Sequence, residues 1–251
     1  MSHLFRRRNA MDNQKSAAYL DESGVRGYLV KPAGEPAPLV IVFMEIWGVN
    51  DHMRLACEKL AGLGFAAFVL DFYDGALFEP SDLQGAVARL KVVGDEGVMD
   101  AFGRALGLFK TRKDVVADRL GVMGFCNGGR LAFLAATRYP QDIRATICFY
   151  GGGIDNPNDK LGRTSVLGGV PRLQAPLLLC YGAKDASIAP DEHARVAEDL
   201  SRANKRYTMS VFPDVGHAFM DKTGPAEARA TEIGWRMTDN FFTANLAKGR
   251  A

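Results

Sequence analysis

The sequence predicts one α/β domain built on a doubly wound, mostly parallel β-sheet flanked by helices. Three observations carry that prediction. Short apolar runs alternate along the chain with longer segments of helical periodicity, the rhythm of strands joined by crossover helices. Most of the runs are continuous rather than alternating, as in strands covered on both faces. A chain of 251 residues that is 47% apolar can bury a single core of this kind.

The elements follow in order. Residues 1–16 read as a polar arm, with Met11 a candidate internal start. Arg6, Arg7 and Arg8 are followed by no apolar stretch, so the arm is not a secretory signal. Residues 17–251 then form a single domain. Ala17–Asp21 and Gly24–Val30 read as an antiparallel hairpin, and Lys31–Pro38 as a Pro/Gly loop rather than a domain boundary. The main strands are expected at Leu39–Met44, Ala66–Asp71, Leu120–Phe125, Ala145–Tyr150, Leu177–Tyr181 and Tyr207–Phe212. Helices are expected at Asp51–Leu63, Asp82–Val93, Glu96–Lys110, Gly128–Arg138, Pro190–Ala203 and Glu227–Leu246. Proline suits the first turn of the Pro190 helix.

Composition excludes several classes of function. With 31 basic and 29 acidic residues the net charge is +2, so no nucleic-acid partner is expected. The longest apolar runs, Leu39–Met44 and Ala66–Leu70, fall far short of the roughly 18 residues a membrane span needs. The four cysteines form no CxxC pair and no zinc-type spacing, so neither a disulfide scaffold nor a metal is expected. Cys57, Cys148 and Cys180 read as small core residues. A reducing, cytoplasmic setting and a monomer fit this reading.

Ligands of such sheets bind beyond the carboxyl ends of the strands. The segment Gly124-Phe125-Cys126-Asn127-Gly128 sits there. It is the G-x-S-x-G elbow with cysteine in the serine place, between an apolar strand and a helix. Small residues two before and two after the nucleophile leave room for a strained turn. At a helix N-terminus the thiolate of Cys126 is favoured, and the Asn127 N–H can face an oxyanion. A base should follow late in the chain. His217, in the loop after the last strand, meets that requirement better than His3, His52 or His193, the last of which reads as a solvated surface residue. Asp185, ending the Leu177–Tyr181 region, is placed to orient the imidazole. Asp214, three residues before His217, more plainly makes a turn. Glu45 stands out as a carboxylate directly after an apolar strand, at the sheet end where ligands bind, which suits proton exchange with a thiol.

Together these residues resemble the dienelactone hydrolase family of α/β-hydrolases. The resemblance runs through Met44–Asn50, the Gly124–Gly129 elbow, Tyr181–Asp185 and Gly216–Phe219. It implies an α/β-hydrolase fold and a Cys126–Asp185–His217 triad. It also implies that Glu45 takes part in forming the thiolate and that the Ile46 N–H completes the oxyanion site with Asn127. No cofactor is implied. The sequence departs from the family where arginines grip a substrate carboxylate: the loop after Ala66–Asp71 reads Phe72-Tyr73-Asp74, and Asp221 lies four residues past His217. Asp74 and Asp221 would repel an anion, so a neutral or cationic substrate is expected. Trp47, Tyr73, Phe78 and Phe219 are candidates for an apolar pocket. The expected activity is cysteine-dependent hydrolysis of a small carboxylic ester or lactone through a thioester. A different acyl-transfer chemistry, a non-catalytic binding protein and a thiol redox sensor are the alternatives left open.

Overall fold

The computed structural model describes residues 15–246. Eight strands form one sheet: β1 (Ser16–Glu22), β2 (Val25–Lys31), β3 (Ala37–Phe43), β4 (Ala66–Leu70), β5 (Val115–Phe125), β6 (Ile143–Phe149), β7 (Leu177–Gly182) and β8 (Tyr207–Phe212). Their order across the sheet is β1-β2-β4-β3-β5-β6-β7-β8. β1 pairs antiparallel with β2 and β2 with β4, while every pairing from β4 through β3 to β8 is parallel. The expected hairpin is therefore present. The arm expected over residues 1–16 lies outside the described residues except for its end, where Ser16 already opens β1.

The topology decides where a ligand can sit. From β3 the chain steps one way to β4, then crosses back to β5 on the other side of β3. The connections leaving β3 and β5 diverge and open a crevice beyond their carboxyl ends. Glu45 follows β3 and Cys126 follows β5.

The helices are α1 (Asp51–Gly62), α2 (Leu83–Thr111), α3 (Asn127–Arg138), α4 (Pro190–Arg202) and α5 (Pro225–Leu246). Asn50 caps α1 by accepting from the Met53 N–H at 3.1 Å. The two helices expected over 82–110 are joined end to end in α2, broken at Gly94, whose φ of 62° and ψ of 173° are not helical. Residues with side chains rarely adopt that φ, so the break falls on the glycine.

The continuous apolar runs are buried on both faces, as expected: every residue of β4 and β7 is buried. Phe102 and Phe109 lie seven apart on one face of α2. Phe102 stacks on Phe43 of β3 at 5.4 Å and Phe109 meets Phe68 of β4 edge-on at 4.9 Å. Each buried ring contributes about 1.5–3 kcal/mol relative to exposure. β5 begins five residues before the expected Leu120, because the half-exposed Val115–Arg119 stretch carries too many polar residues to read as a buried strand. A short 3-10 turn at Leu167–Arg172 was not expected at all. Among the described residues, no helix is long and apolar enough to cross a membrane.

Candidate active site

Cys126 sits between β5 and α3 with φ 54° and ψ −122°. Two glycines make that turn possible. A Cβ on Gly124 would lie 1.9 Å from the Gly128 carbonyl oxygen, and a Cβ on Gly128 would lie 2.2 Å from that of Phe43. The second contact also presses the start of α3 against the end of β3, which brings the elbow beside the Glu45 segment. Strained backbone recurs around the same crevice, with φ of 39° at Tyr150 and 56° at Ala218.

The three residues expected to work together are in line. His217 Nε2 is 3.0 Å from the Cys126 sulfur, and its Nδ1 is 2.8 Å from Asp185 Oδ2. Asp185 is fixed in turn, since its Oδ1 accepts from the backbone N–H groups of Ser187 at 2.8 Å and Ile188 at 3.2 Å. Its side chain is fully buried. Burial alone would push the His217 imidazole down. The hydrogen bonds to Asp185 and Cys126, with the charges of both, overcome it and push the imidazole up to about 10. Asp214 is elsewhere, in a turn with φ 64° and paired with Lys184 at 2.9 Å. His193 departs from its expected solvated place. Its ring stacks on Tyr181 at 4.0 Å, its Nε2 is buried without a partner, and burial pushes its pKa down.

Glu45 is 2% exposed. Its Oε2 lies 3.5 Å from His52 Nδ1, and its Oε1 has no hydrogen-bond partner. Asn127 is buried, its Oδ1 accepting from Arg163 at 2.7 Å, while Asp159 holds Arg163 through both carboxylate oxygens. Ile46 is buried beside Glu45.

The aromatic candidates divide. Trp47 and Phe78 are half-buried, tied by a hydrogen bond from the Phe78 N–H to the Trp47 carbonyl at 3.0 Å. Phe219 is fully buried against Phe212, Phe149 and Tyr150, in the core rather than on a pocket wall. Tyr73 is also buried, between Phe72 and Phe78, with a hydroxyl that has no partner. Burial, with the charge of Cys126 adding to it, pushes that phenol up. The expectation about Asp74 needs correcting. Arg89 reaches across from α2 to pair with it at 2.6 Å, so Asp74 offers no bare negative charge. Asp221 is half-exposed, and burial with the nearby Glu45 pushes its carboxyl up.

Two residues that the sequence reading did not assign to the site belong to this neighbourhood. Tyr150 follows β6 at the ligand-binding end of the sheet, a position that could have flagged it. Its ring packs edge-on against His217 at 5.4 Å, and its hydroxyl is buried, approached only by the Met220 backbone. His52, in the first turn of α1, faces both Glu45 and Asp221.

The dienelactone hydrolase family model matches residues 25–246, the whole of the sheet except β1. The chain belongs to the dienelactone hydrolase family. A protein of Escherichia coli K12, provisionally named carboxymethylenebutenolidase, is 32% identical over 227 residues, covering 84% of this chain and 79% of its own. One of Methylorubrum extorquens with the same provisional name is 29% identical, covering 89% and 78%. A solved Klebsiella pneumoniae structure, provisionally described as a dienelactone hydrolase, superposes with a TM-score of 0.81 at 28% identity, covering 92% of this chain and 98% of its own. This dienelactone hydrolase family member has the α/β-hydrolase fold that the resemblance implied, and it is a hydrolase of that family.

Proposed function

We propose that the chain hydrolyses small carboxylic esters or lactones with Cys126 as nucleophile. The observation that carries this reading is the unbroken line from the Cys126 sulfur through His217 to the buried Asp185. A raised imidazole beside a thiol favours the imidazolium–thiolate pair. The thiolate attacks the carbonyl carbon and an S–C bond forms. The oxyanion is held by the N–H groups of Ile46 and Asn127, the latter steadied through Arg163. Collapse breaks the C–O bond, and His217 gives its proton to the leaving alkoxide. His217 then takes a proton from water, whose oxygen attacks the thioester. The S–C bond breaks and the acid leaves. On this reading Glu45, whose segment packs against the elbow at Gly128, exchanges a proton with the thiol between turnovers.

The substrate favoured is neutral or cationic, because Asp221 lies where the family's carboxylate-gripping arginine would be. The relatives' provisional name points instead to an anionic butenolide. The test compares wild type with Cys126→Ser on a short-chain aryl ester and on an anionic lactone from pH 5 to 9. Turnover of the neutral ester by wild type, with a loss of at least a hundredfold in the variant, is expected. Equal rates in the two proteins would sink the nucleophile assignment. Faster turnover of the lactone would sink the substrate assignment alone.

A further inference from the structure

The reaction above gives His52 no task and Asp221 only that of repelling an anion, and it leaves Glu45 Oε1 without a hydrogen-bond partner. The three come from separate places: the loop after β3, the first turn of α1, and the short turn Phe219–Asp221. One donor atom from each lies within 4.8 Å of the others. His52 Nδ1 stands 3.5 Å from Glu45 Oε2 and 3.9 Å from Asp221 Oδ1. The first distance is at the limit of a hydrogen bond and the second is beyond it, so the imidazole does not satisfy both carboxylates. Donors around a tetrahedral zinc ion, bound at about 2.0–2.1 Å, stand roughly 3.3 Å apart, so small side-chain shifts would close this set on a cation.

A second observation points to a cation there. Glu45 Oε1 has no hydrogen-bond partner although the residue is 2% exposed. The Tyr150 hydroxyl is buried, approached only by the Met220 backbone, and it lies under the influence of the same Glu45 and Asp221 charges. Buried polar atoms without partners are rare and costly, a carboxylate oxygen among the costliest. The ring of His52 is held by Phe125 at 5.2 Å and is 8% exposed, whereas Asp221 is 49% exposed. The cluster thus has a rigid floor and an open mouth.

We propose that Glu45, His52 and Asp221 form a binding site for a divalent transition cation of the zinc class, and that its occupation inhibits the enzyme by withdrawing Glu45 from Cys126. Two carboxylates and one imidazole suit such an ion. The inhibitory half rests on the hydrolase reading above; the binding half does not.

The full-length protein, freed of metal with a chelator, is titrated with Zn2+ by calorimetry and with Co2+ by absorption. One ion per chain is expected in wild type and in Cys126→Ser alike. Asp221→Asn and His52→Gln should each weaken binding at least tenfold, and the Co2+ complex should lack a thiolate charge-transfer band. No bound Zn2+ at tenfold excess overturns the site. So does binding that is lost in Cys126→Ser and kept in Asp221→Asn, which would put the ion on the thiol and His217. In the ester assay, Zn2+ should slow wild type reversibly, and slow Asp221→Asn much less relative to its own zinc-free rate. A wild type that binds Zn2+ with undiminished turnover overturns the inhibitory half. An absence of any ester turnover sinks the hydrolase reading while leaving the binding result standing.

Discussion

His217 is the residue on which most of the proposed chemistry converges, and its surroundings make a signed prediction. Its folded-state pKa is raised from 6.5 to about 10 by Asp185 and Cys126, against the opposing pull of burial. A group whose pKa rises on folding stabilises the fold fully below its unfolded pKa. That contribution is lost as pH climbs through the folded value. The difference in melting temperature between wild type and His217→Gln should therefore shrink steadily from pH 6.5 to pH 10. A difference that grows over that range would show that the imidazole is not held protonated. Asp185→Asn tests the orienting carboxylate. It keeps the hydrogen bonds to Ser187 and Ile188 within reach but turns a charge into a dipole. Turnover should fall about 10³–10⁴-fold with KM nearly unchanged, as when an orienting aspartate is neutralised in a serine triad. A loss under tenfold would mean that another group orients His217. These residues were legible in the sequence because each is announced locally, by an elbow of glycines or by a position just after a strand. His52 and Arg89 were not, because their significance lies in contacts with residues from other elements, whereas Tyr150 carried the same positional signal, just after β6, and was passed over.

At the level of elements, the elbow rests on backbone contacts that no side-chain shift can relieve. A Cβ on Gly128 would meet the carbonyl oxygens of Phe43 at 2.2 Å and Met44 at 2.6 Å. Gly128→Ala must therefore push α3 away from β3, and should cost about 3 kcal/mol, the upper end of the usual overpacking range. Gly107, exposed in the second half of α2, has nothing within 4 Å of its would-be Cβ. Gly107→Ala should stabilise the protein by about 0.5–1 kcal/mol through helix propensity alone. Denaturant unfolding of both variants checks the pair. Similar effects at the two positions would mean that the close approach at the elbow is not rigid. The contrast also explains what pattern reading could and could not recover. β4 and β7 were legible from their unbroken apolar runs. The first part of β5 was not, since its residues are half-exposed and its register shifts between Leu120 and Gly121.

Across the whole molecule, the candidate site is tied to an ion pair well behind Cys126. Arg130, fully buried in α3, donates to Asp95 Oδ1 at 2.7 Å and Oδ2 at 2.8 Å. It also donates to the carbonyls of Gly153 at 2.7 Å and Thr164 at 2.8 Å. One side chain thus joins the α2 segment just past the Gly94 break, the helix behind Cys126, and the long loop after β6. That loop carries Arg163, which holds Asn127. The doubly wound order was readable from the strand rhythm, but nothing local identifies Arg130 as the tie, because its partners lie 23 to 35 residues away. Asp95→Asn leaves a buried guanidinium without its counter-charge. Breaking such a pair costs about 3–5 kcal/mol when both partners are buried, and Asp95 is 29% exposed, which places the expectation near the lower end. The exposed pair Arg202–Glu198 supplies the contrast, with side chains 76% and 54% exposed. Arg202→Ala should change stability by less than about 0.5 kcal/mol. If Arg130 is the tie, Asp95→Asn should also lower ester turnover under conditions where the variant is still fully folded, because the loop that steadies Asn127 loosens before the sheet does. Unchanged turnover in the folded variant would confine Arg130 to holding the fold, and would leave the Arg163–Asp159 pair alone to fix the Asn127 side of the crevice.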